Sequence, residues 1–181
     1  MTTDVKDIIS LIEGGIKPEE VELITKAYEF SKNAHKDQKR MSGEPYFIHT
    51  VETAKTLAKL GMDSKTIASG LLHDVLEDTD TSEDIIAKEF GEDILFLVKG
   101  VTKLGTLKYH GHERHVESLR KFFVAMANDL RVVIIKFADR LHNLRTLQYV
   151  REDKRKRIAI ESIEVYAPLA NRLGMGKLKG E

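Results

Sequence analysis

The stretch at residues 71–79 constrains the fold most, because it reads LLHDVLEDT and sets four polar groups among apolar ones. At helical spacing, His73 lies one turn before Glu77, and Asp74 lies one turn before Asp78. The four polar side chains then share one side of a helix, while the leucines and the valine anchor the segment elsewhere. We therefore predict a helix that presents two potential metal ligands and two further carboxylates.

Two more potential ligands occur elsewhere in the chain. His49 follows the apolar run PYFI at 45–48, and Asp139 ends the largely apolar strip at 132–138. A carboxylate at the end of such a strip is costly to bury unless it meets a cation. A His-Asp dipeptide alone also fits a helix cap or a surface pair, but the supply of further ligands favours a metal site.

Composition limits the class of protein. The 181 residues suffice for one domain with a sizeable core. The 29 basic and 29 acidic side chains cancel, so there is no general attraction to nucleic acid or to an anionic membrane. Without cysteine there are no disulfides and no thiolate metal sites. No apolar run reaches the roughly 20 residues of a membrane span, and we expect a soluble cytoplasmic protein.

The apolar residues recur at helical spacing along the chain, and no run alternates strongly enough to demand a strand. Residues 131–138 are rich in β-branched side chains and fit either a strand or a buried helix. The basic segment 36–45 contains Gly and Pro and is predicted to be a loop. We predict an all-α single domain. Its helices are expected at 18–35, 49–60, from 63 or 64 through the motif, 83–91, 92–103, 114–128 and 129–145, with a short amphipathic piece in 1–15 and an amphipathic tail at 151–173.

Three histidines, His110, His112 and His115, lie in a polar stretch between Gly105 and Glu117. A second metal site is one interpretation of this group. A mobile loop near a substrate entrance is the favoured one, because the histidines have no apolar support around them.

Several longer phrases occur in an order that resembles a known family. His49, the His73-Asp74 pair and Asp139, on three separate helices, resemble the metal-dependent phosphohydrolase superfamily named for its His-Asp doublet. The longer phrases resemble the hydrolase domain of the RelA/SpoT family, whose members remove the 3′-pyrophosphate of the alarmones ppGpp and pppGpp. The similarity runs from about residue 20 to the end of the chain. The phrases are RMSGEPYFIH at 40–49, HDVLEDT at 73–79, GVTKL at 100–104 and KFADRLHNLRT at 136–146.

The resemblance implies one Mn²⁺ ion in the site. The residues matching the family's ligands are His49, His73, Asp74 and Asp139. Two imidazoles and two carboxylates suit such a divalent ion.

The resemblance also implies roles for residues that are not ligands. Glu77 and Asp78 would orient or deprotonate the attacking water, and the base would pack against Arg40. A guanidinium group stacks well on a purine face, which is an independent physical reason for an arginine there. The nucleoside would be surrounded by Ser42, Tyr46, Asn143 and Thr146.

Two features concern the limits of the resemblance. Many family members carry Lys or Ser where this chain has Met41, which removes a polar contact at that point. The phrase EVYAPLANRLGM at 164–175 resembles the segment that leads to a synthetase domain in long bifunctional members. We expect residues 1–181 to form a hydrolase domain, with its core at about 20–150, that belongs to a longer enzyme and makes no alarmone itself.

Two other functions remain open at this point. A hydrolase of the same fold with another nucleotide substrate, such as the 2′-phosphate of NADPH, would need the same metal ligands and different base contacts. A non-catalytic regulatory module would be expected to lose the catalytic acids, yet Glu77 and Asp78 are both present.

Overall fold

The computed structural model describes residues 3–105 and 111–176, with the backbone alone at 111–118. Apart from one bridge between Lys39 and Pro45, the described residues form no β pairing, which confirms the all-α prediction. The helices are α1 (Lys6–Ile9), α2 (Pro18–Ala34), α3 (Phe47–Lys59), α4 (Ser64–Leu72), α5 (Val75–Asp78), α6 (Glu83–Phe90), α7 (Glu92–Gly105), α8 (Gly111–Asn128), α9 (Leu130–Arg145), α10 (Glu152–Glu161) and α11 (Ala167–Arg172). A 3-10 turn at Leu147–Tyr149 and a π-helical turn at Ser162–Tyr166 complete the fold.

Side-chain caps fix where three of the helices begin. Asp63, Ser82 and Asp129 each accept a hydrogen bond from the backbone N–H two or three residues later. These bonds satisfy N–H groups that have no partner within the helix. All three caps lie at the helix starts that the sequence predicts.

Helix α4 lies in the centre of the domain and contacts α2, α3, α7 and α9. Every residue of α4 from Thr66 to Leu72 is buried. The β-branched segment at 131–138 forms part of α9, where most of its side chains are buried, so the helical alternative is the correct one. No helix in the described part of the chain is both long and apolar enough to cross a membrane.

Helices α3 and α4 approach each other closely because Gly70 has no side chain. A Cβ atom at Gly70 would overlap the buried Leu57 side chain and would also touch Thr53 on α3. This contact fixes the spacing of the two helices near the end of α4 that leads to His73.

The helix that carries the His-Asp motif ends earlier than predicted. Helix α4 stops at Leu72 and α5 starts at Val75, so His73 and Asp74 occupy a turn between them. The ring Nδ1 of His73 lies 2.8 Å from the carbonyl oxygen of Gly70, which the N–H of Asp74 would use in a continuous helix. The prediction of one helix through the motif was therefore wrong, since the helix is interrupted at these two residues.

Helix α8 starts at Gly111, three residues before its predicted start, so part of the predicted polar loop is helical. His110 lies outside the described residues, as do the side chains of His112 and His115. Both interpretations of this histidine group therefore remain predictions.

The contact between α7 and α9 leaves no room for a side chain at Gly100. A Cβ atom there would lie 2.7 and 2.9 Å from the two methyl groups of Val132, whose rotamer is restricted in a helix. We expect Gly100→Ala to lower the free energy of unfolding in urea, because overpacking of about 1–3 kcal/mol outweighs the gain of about 1 kcal/mol in helix propensity.

Gly105→Ala is the matched control on the same helix. A Cβ atom at Gly105 meets nothing closer than 3.5 Å, so this variant should be as stable as the parent or slightly more stable. Equal stability of the two variants would contradict the close packing at Gly100.

Candidate metal centre

Three parts of the fold bring the four predicted ligands together: α3 supplies His49, the turn after α4 supplies His73 and Asp74, and α9 supplies Asp139. Nε2 of His49 lies 3.5 Å from Oδ2 of Asp74 and 3.2 Å from Oδ1 of Asp139. Nε2 of His73 lies 3.1 Å and 3.9 Å from the same two oxygens. Both imidazoles and the Asp139 carboxylate are buried, and the ligand atoms of His49, His73 and Asp74 lie within 4.8 Å of one another.

The hydrogen bond of His73 decides which of its nitrogens faces the carboxylates. A carbonyl oxygen only accepts, so the proton shared with Gly70 belongs to Nδ1 of His73. Nε2 is buried and has no hydrogen-bond partner in the described structure. Burial alone would lower the pKa of His73, but Asp74 and Asp139 raise it to about 9. The two carboxylates therefore favour a positive charge at this nitrogen, which either a proton or a metal ion can supply. The residues fit a divalent metal.

His49 is oriented by a fifth residue, His142 on α9. The two Nδ1 atoms lie 2.8 Å apart, and both rings are buried. The guanidinium of Arg40 lies 2.8 Å from the same nitrogen of His142 and can only donate. Burial, with the neighbouring His49 and Arg40, lowers the pKa of His142 to about 3, so its ring is neutral.

The buried Asp139 carboxylate has two donors on its own helix. Nζ of Lys136 lies 2.6 Å from Oδ2, and the side-chain amide of Asn143 lies 2.6 Å from Oδ1. Burial alone would raise the pKa of Asp139, but the Lys136 ammonium and the neighbouring histidines hold it well below its usual range. The carboxylate is therefore ionised, and Lys136 is the cation that its burial requires.

Tyr46, predicted at the nucleoside, contacts the predicted ligand Asp74. Its hydroxyl donates to Oδ2 of Asp74 at 2.7 Å. Burial and the Asp74 carboxylate raise the pKa of Tyr46 above its usual range, so the hydroxyl remains a donor. The ring stacks on buried His35, with centroids 5.0 Å apart, and His35 in turn bonds Gln38 at 2.8 Å. Gln38 also donates to the backbone carbonyl of Asp78.

The other predicted substrate residues divide into two groups. Arg40 and Asn143 lie beside the ligand cluster, and Nη2 of Arg40 donates to Oδ1 of Asn143 at 2.6 Å. Ser42 donates within its own loop to Glu44, and Thr146 donates to the His142 carbonyl at the end of α9. The structure therefore brings Arg40 and Asn143 into the cluster and shows Ser42 and Thr146 in local contacts.

Glu77 lies at the exposed side of the cluster. Oε2 of Glu77 and Nζ of Lys136 both lie next to Gly105. A Cβ atom built on Gly105 would be 3.6 Å from Oε2 of Glu77 and 3.5 Å from Nζ of Lys136. Burial and the Asp74 carboxylate raise the pKa of Glu77, while Lys136 opposes the shift. The side chain of Asp78, next along the chain, is exposed. Glu77 thus lies next to the ligand cluster, and the catalytic roles of Glu77 and Asp78 stay predictions.

Sequence reasoning missed the roles of Lys136 and His142, although a signal was available. Each lies three residues from Asp139, and Asn143 lies four residues from it, so all three share its face of α9. No sequence pattern indicates the contacts of His35 and Gln38, because they depend on how the loop before α3 folds.

The helical fold and the buried His-Asp cluster define a metal-site domain of the His-Asp type. The model of the HD domain family matches residues 27–176, and the chain belongs to this family.

Individual relatives within this family share much of the sequence of this chain. The chain is 51% identical over 164 residues to a guanosine-3′,5′-bis(diphosphate) 3′-pyrophosphohydrolase of Aquifex aeolicus, covering 91% of this chain and 23% of the relative. It is 44% identical over 172 residues to the bifunctional (p)ppGpp synthase/hydrolase SpoT of Escherichia coli, covering 94% and 24%. It thus spans about a quarter of the length of these relatives.

A solved structure is also similar. It is that of a metazoan ortholog of SpoT, described as hydrolysing ppGpp and as having a role in starvation responses. The two structures align with a TM-score of 0.65 and 26% identity over 83% of this chain and 85% of the other.

Replacing Lys136 should expose the cost of the buried Asp139 charge. We expect Lys136→Met, measured by urea unfolding with a chelator present, to lower stability by about 3 kcal/mol, the lower end for a broken buried ion pair, because Asn143 still donates to Asp139. Lys99→Met removes the same cation from a more exposed pair with Glu83 and should cost less than about 1 kcal/mol. Equal losses in the two variants would show that the Lys136–Asp139 contact is of the ordinary surface kind.

Proposed function

We propose that this chain hydrolyses the 3′-pyrophosphate of ppGpp and pppGpp, releasing pyrophosphate and GDP or GTP, with Mn²⁺ as its metal. One observation carries the proposal: two imidazole nitrogens face two carboxylates in a buried cluster, with Nε2 of His73 lacking a hydrogen-bond partner. The named hydrolase of Aquifex aeolicus, to which 91% of this chain aligns, supports the choice of substrate.

The residues that would hold the metal are His49, His73, Asp74 and Asp139. Mixed imidazole and carboxylate donors suit Mn²⁺, with open positions for water or substrate oxygens. When bound, such an ion polarises the phosphoryl group and lowers the pKa of water.

Glu77 is the proposed proton acceptor, with Asp78 beside it. Water attacks the phosphorus bonded to O3′, the P–O3′ bond breaks, and the proton lost by the water passes to the Glu77 carboxylate. The departing O3′ oxyanion takes a proton from solvent to become the 3′-hydroxyl of GDP or GTP. The raised pKa of Glu77 suits this role, because a base works best when its pKa approaches the working pH. The contact of Gln38 with the Asp78 carbonyl holds the end of α5 in place.

The proposed nucleoside site lies around Arg40, Ser42, Tyr46, Asn143 and Thr146. The guanidinium carbon of Arg40 lies 6.0 Å from the centroid of the Tyr46 ring, so a planar cation is available beside an aromatic side chain. A purine can stack on such a guanidinium, while the anionic phosphates extend towards the cluster.

A substrate panel tests the proposal directly. Pyrophosphate release should occur from ppGpp and pppGpp in the presence of Mn²⁺ and should stop with a chelator. Faster phosphate release from NADPH than pyrophosphate release from ppGpp would reassign the site to another nucleotide. No turnover of any substrate by protein that binds Mn²⁺ would indicate a regulatory module.

Asp139→Ala should remove the metal. The variant loses one ligand and frees Lys136 from its partner, so we expect Mn²⁺ affinity to fall by more than the roughly 100-fold typical of supporting residues, and activity to vanish. Mn²⁺ titration of the purified protein measures the effect, and Asp84→Ala, at an exposed carboxylate on α6, is the control. Stoichiometric binding by Asp139→Ala would reject the ligand assignment.

Glu77→Gln should separate chemistry from metal binding. The amide keeps the shape of the side chain but removes its basicity, so kcat should fall by about 10²–10⁴ while Mn²⁺ still binds and ppGpp affinity changes little. Measurements of kcat, Mn²⁺ content and melting temperature on one preparation test this, with Glu13→Gln at an exposed site as control. Near-normal kcat with a lowered melting temperature would mean that Glu77 only pairs with Lys136.

A further inference from the structure

We propose that His142 is a positioning residue that accepts the Nδ1 proton of His49 and so aims Nε2 of His49 at the metal position, and that Arg40 holds His142 in this acceptor state. The inference rests on the proposed function only in taking His49 as a ligand. It assigns His142 a role that the proposed ligands, acids and nucleoside contacts do not include.

The contact between the two histidines is close and buried. Their ring centroids lie 4.9 Å apart and the two Nδ1 atoms 2.8 Å apart, and the exposed fractions are 2% for His49 and 8% for His142. Two nitrogens of the same kind at this distance need one proton between them. One ring must therefore donate and the other accept.

Arg40 decides the direction of this hydrogen bond. Its Nη1 lies 2.8 Å from the Nδ1 of His142, and a guanidinium has no acceptor atom. A proton on that nitrogen would face the N–H of Arg40, so the Nδ1 of His142 is unprotonated. Its single lone pair is shared between the N–H groups of Arg40 and His49, and His49 is the donor of the histidine pair. The opposite assignment would place the His49 proton on Nε2, between Asp74 and Asp139, where it would block a metal ion.

Arg40 is also connected to Asp139, through a hydrogen bond to Asn143, the residue after His142 on α9. Its Nη2 donates to Oδ1 of Asn143, and Nδ2 of Asn143 donates to Oδ1 of Asp139, each at 2.6 Å. One guanidinium from the loop before α3 therefore orients the supports of both His49 and Asp139. Because Arg40 is also the proposed base contact, binding of the base and of the metal become coupled through His142 and Asn143.

A purely structural role for His142 makes a different prediction. If the ring only fills space between α3 and α9, an aromatic ring without an acceptor should serve equally well. The hydrogen-bonding role instead requires an acceptor atom at the position of Nδ1.

Two variants of His142 separate these roles. His142→Phe keeps a ring and removes the acceptor, while His142→Asn can place its amide oxygen near the position of Nδ1. The affinity for Mn²⁺ is measured by electron paramagnetic resonance of the free ion, with no nucleotide present. We expect His142→Phe to weaken binding about 10–100-fold, the range for residues that orient a ligand, and His142→Asn to restore most of it.

A second measurement uses the metal-free protein. Nitrogen-15 NMR of the imidazoles should show His49 protonated at Nδ1 in the parent and in His142→Asn, and a mixture of tautomers in His142→Phe. Parental Mn²⁺ affinity and an unchanged His49 tautomer in His142→Phe would overturn the proposal. Equal loss of affinity in both variants, without a change of tautomer, would do so as well.

Arg40→Leu provides a variant outside the buried histidine pair, which keeps the proposal testable if His142→Phe does not fold. It should weaken Mn²⁺ binding and mix the His49 tautomers, and parental values for both would remove Arg40 from the role. None of these measurements involves ppGpp. Failure of the proposed reaction would therefore leave the tautomer result standing, and a parental tautomer in His142→Phe would refute the positioning role even in an active hydrolase.

Discussion

The buried Asp139 carboxylate is the group on which the site depends. Moving an ion into a protein interior costs several kcal/mol, and this cost is offset only when charge partners and hydrogen bonds are well placed. Asp139 has Lys136 and Asn143 on its own helix and His49 across from it on α3. Both donors lie on α9 itself, while the packing of α3 against α9 places Nε2 of His49 3.2 Å from the carboxylate and helps to bury it. The fold therefore supplies the burial of the charge, and α9 supplies its partners.

A second layer of residues forms hydrogen bonds to the four predicted ligands. Gly70 accepts from His73, and Tyr46 donates to Asp74. His142 and Asn143 complete the layer on α9. Each bond sets the direction of one ligand atom, so the cluster is arranged before any ion enters. Such preorganisation reduces the ordering that binding would otherwise require.

The helical fold and the convergence of the four predicted ligands were predictable from the sequence, because both follow from local patterns. Apolar spacing and the caps at Asp63 and Asp129 locate helices, and His-Asp phrases on separate helices indicate a shared site. The turn at His73 was not predictable, since the helical spacing of the apolar residues runs through the motif without a break. The inward position of Arg40 likewise depends on contacts with residues about 100 positions away in the chain. Helical spacing from Asp139 could have indicated His142, but not the direction of its hydrogen bond.

Gly70 links two properties that are usually separate. Its missing side chain lets α4 rest against Leu57 of α3, and its carbonyl oxygen fixes the ring of His73. His49 comes from α3 and His73 from the turn that follows α4, so the separation of the two rings depends on how closely the helices approach. A bulkier residue at position 70 would push α4 away from Leu57 and carry the His73 ring with it, although residue 70 contributes no side chain to the cluster.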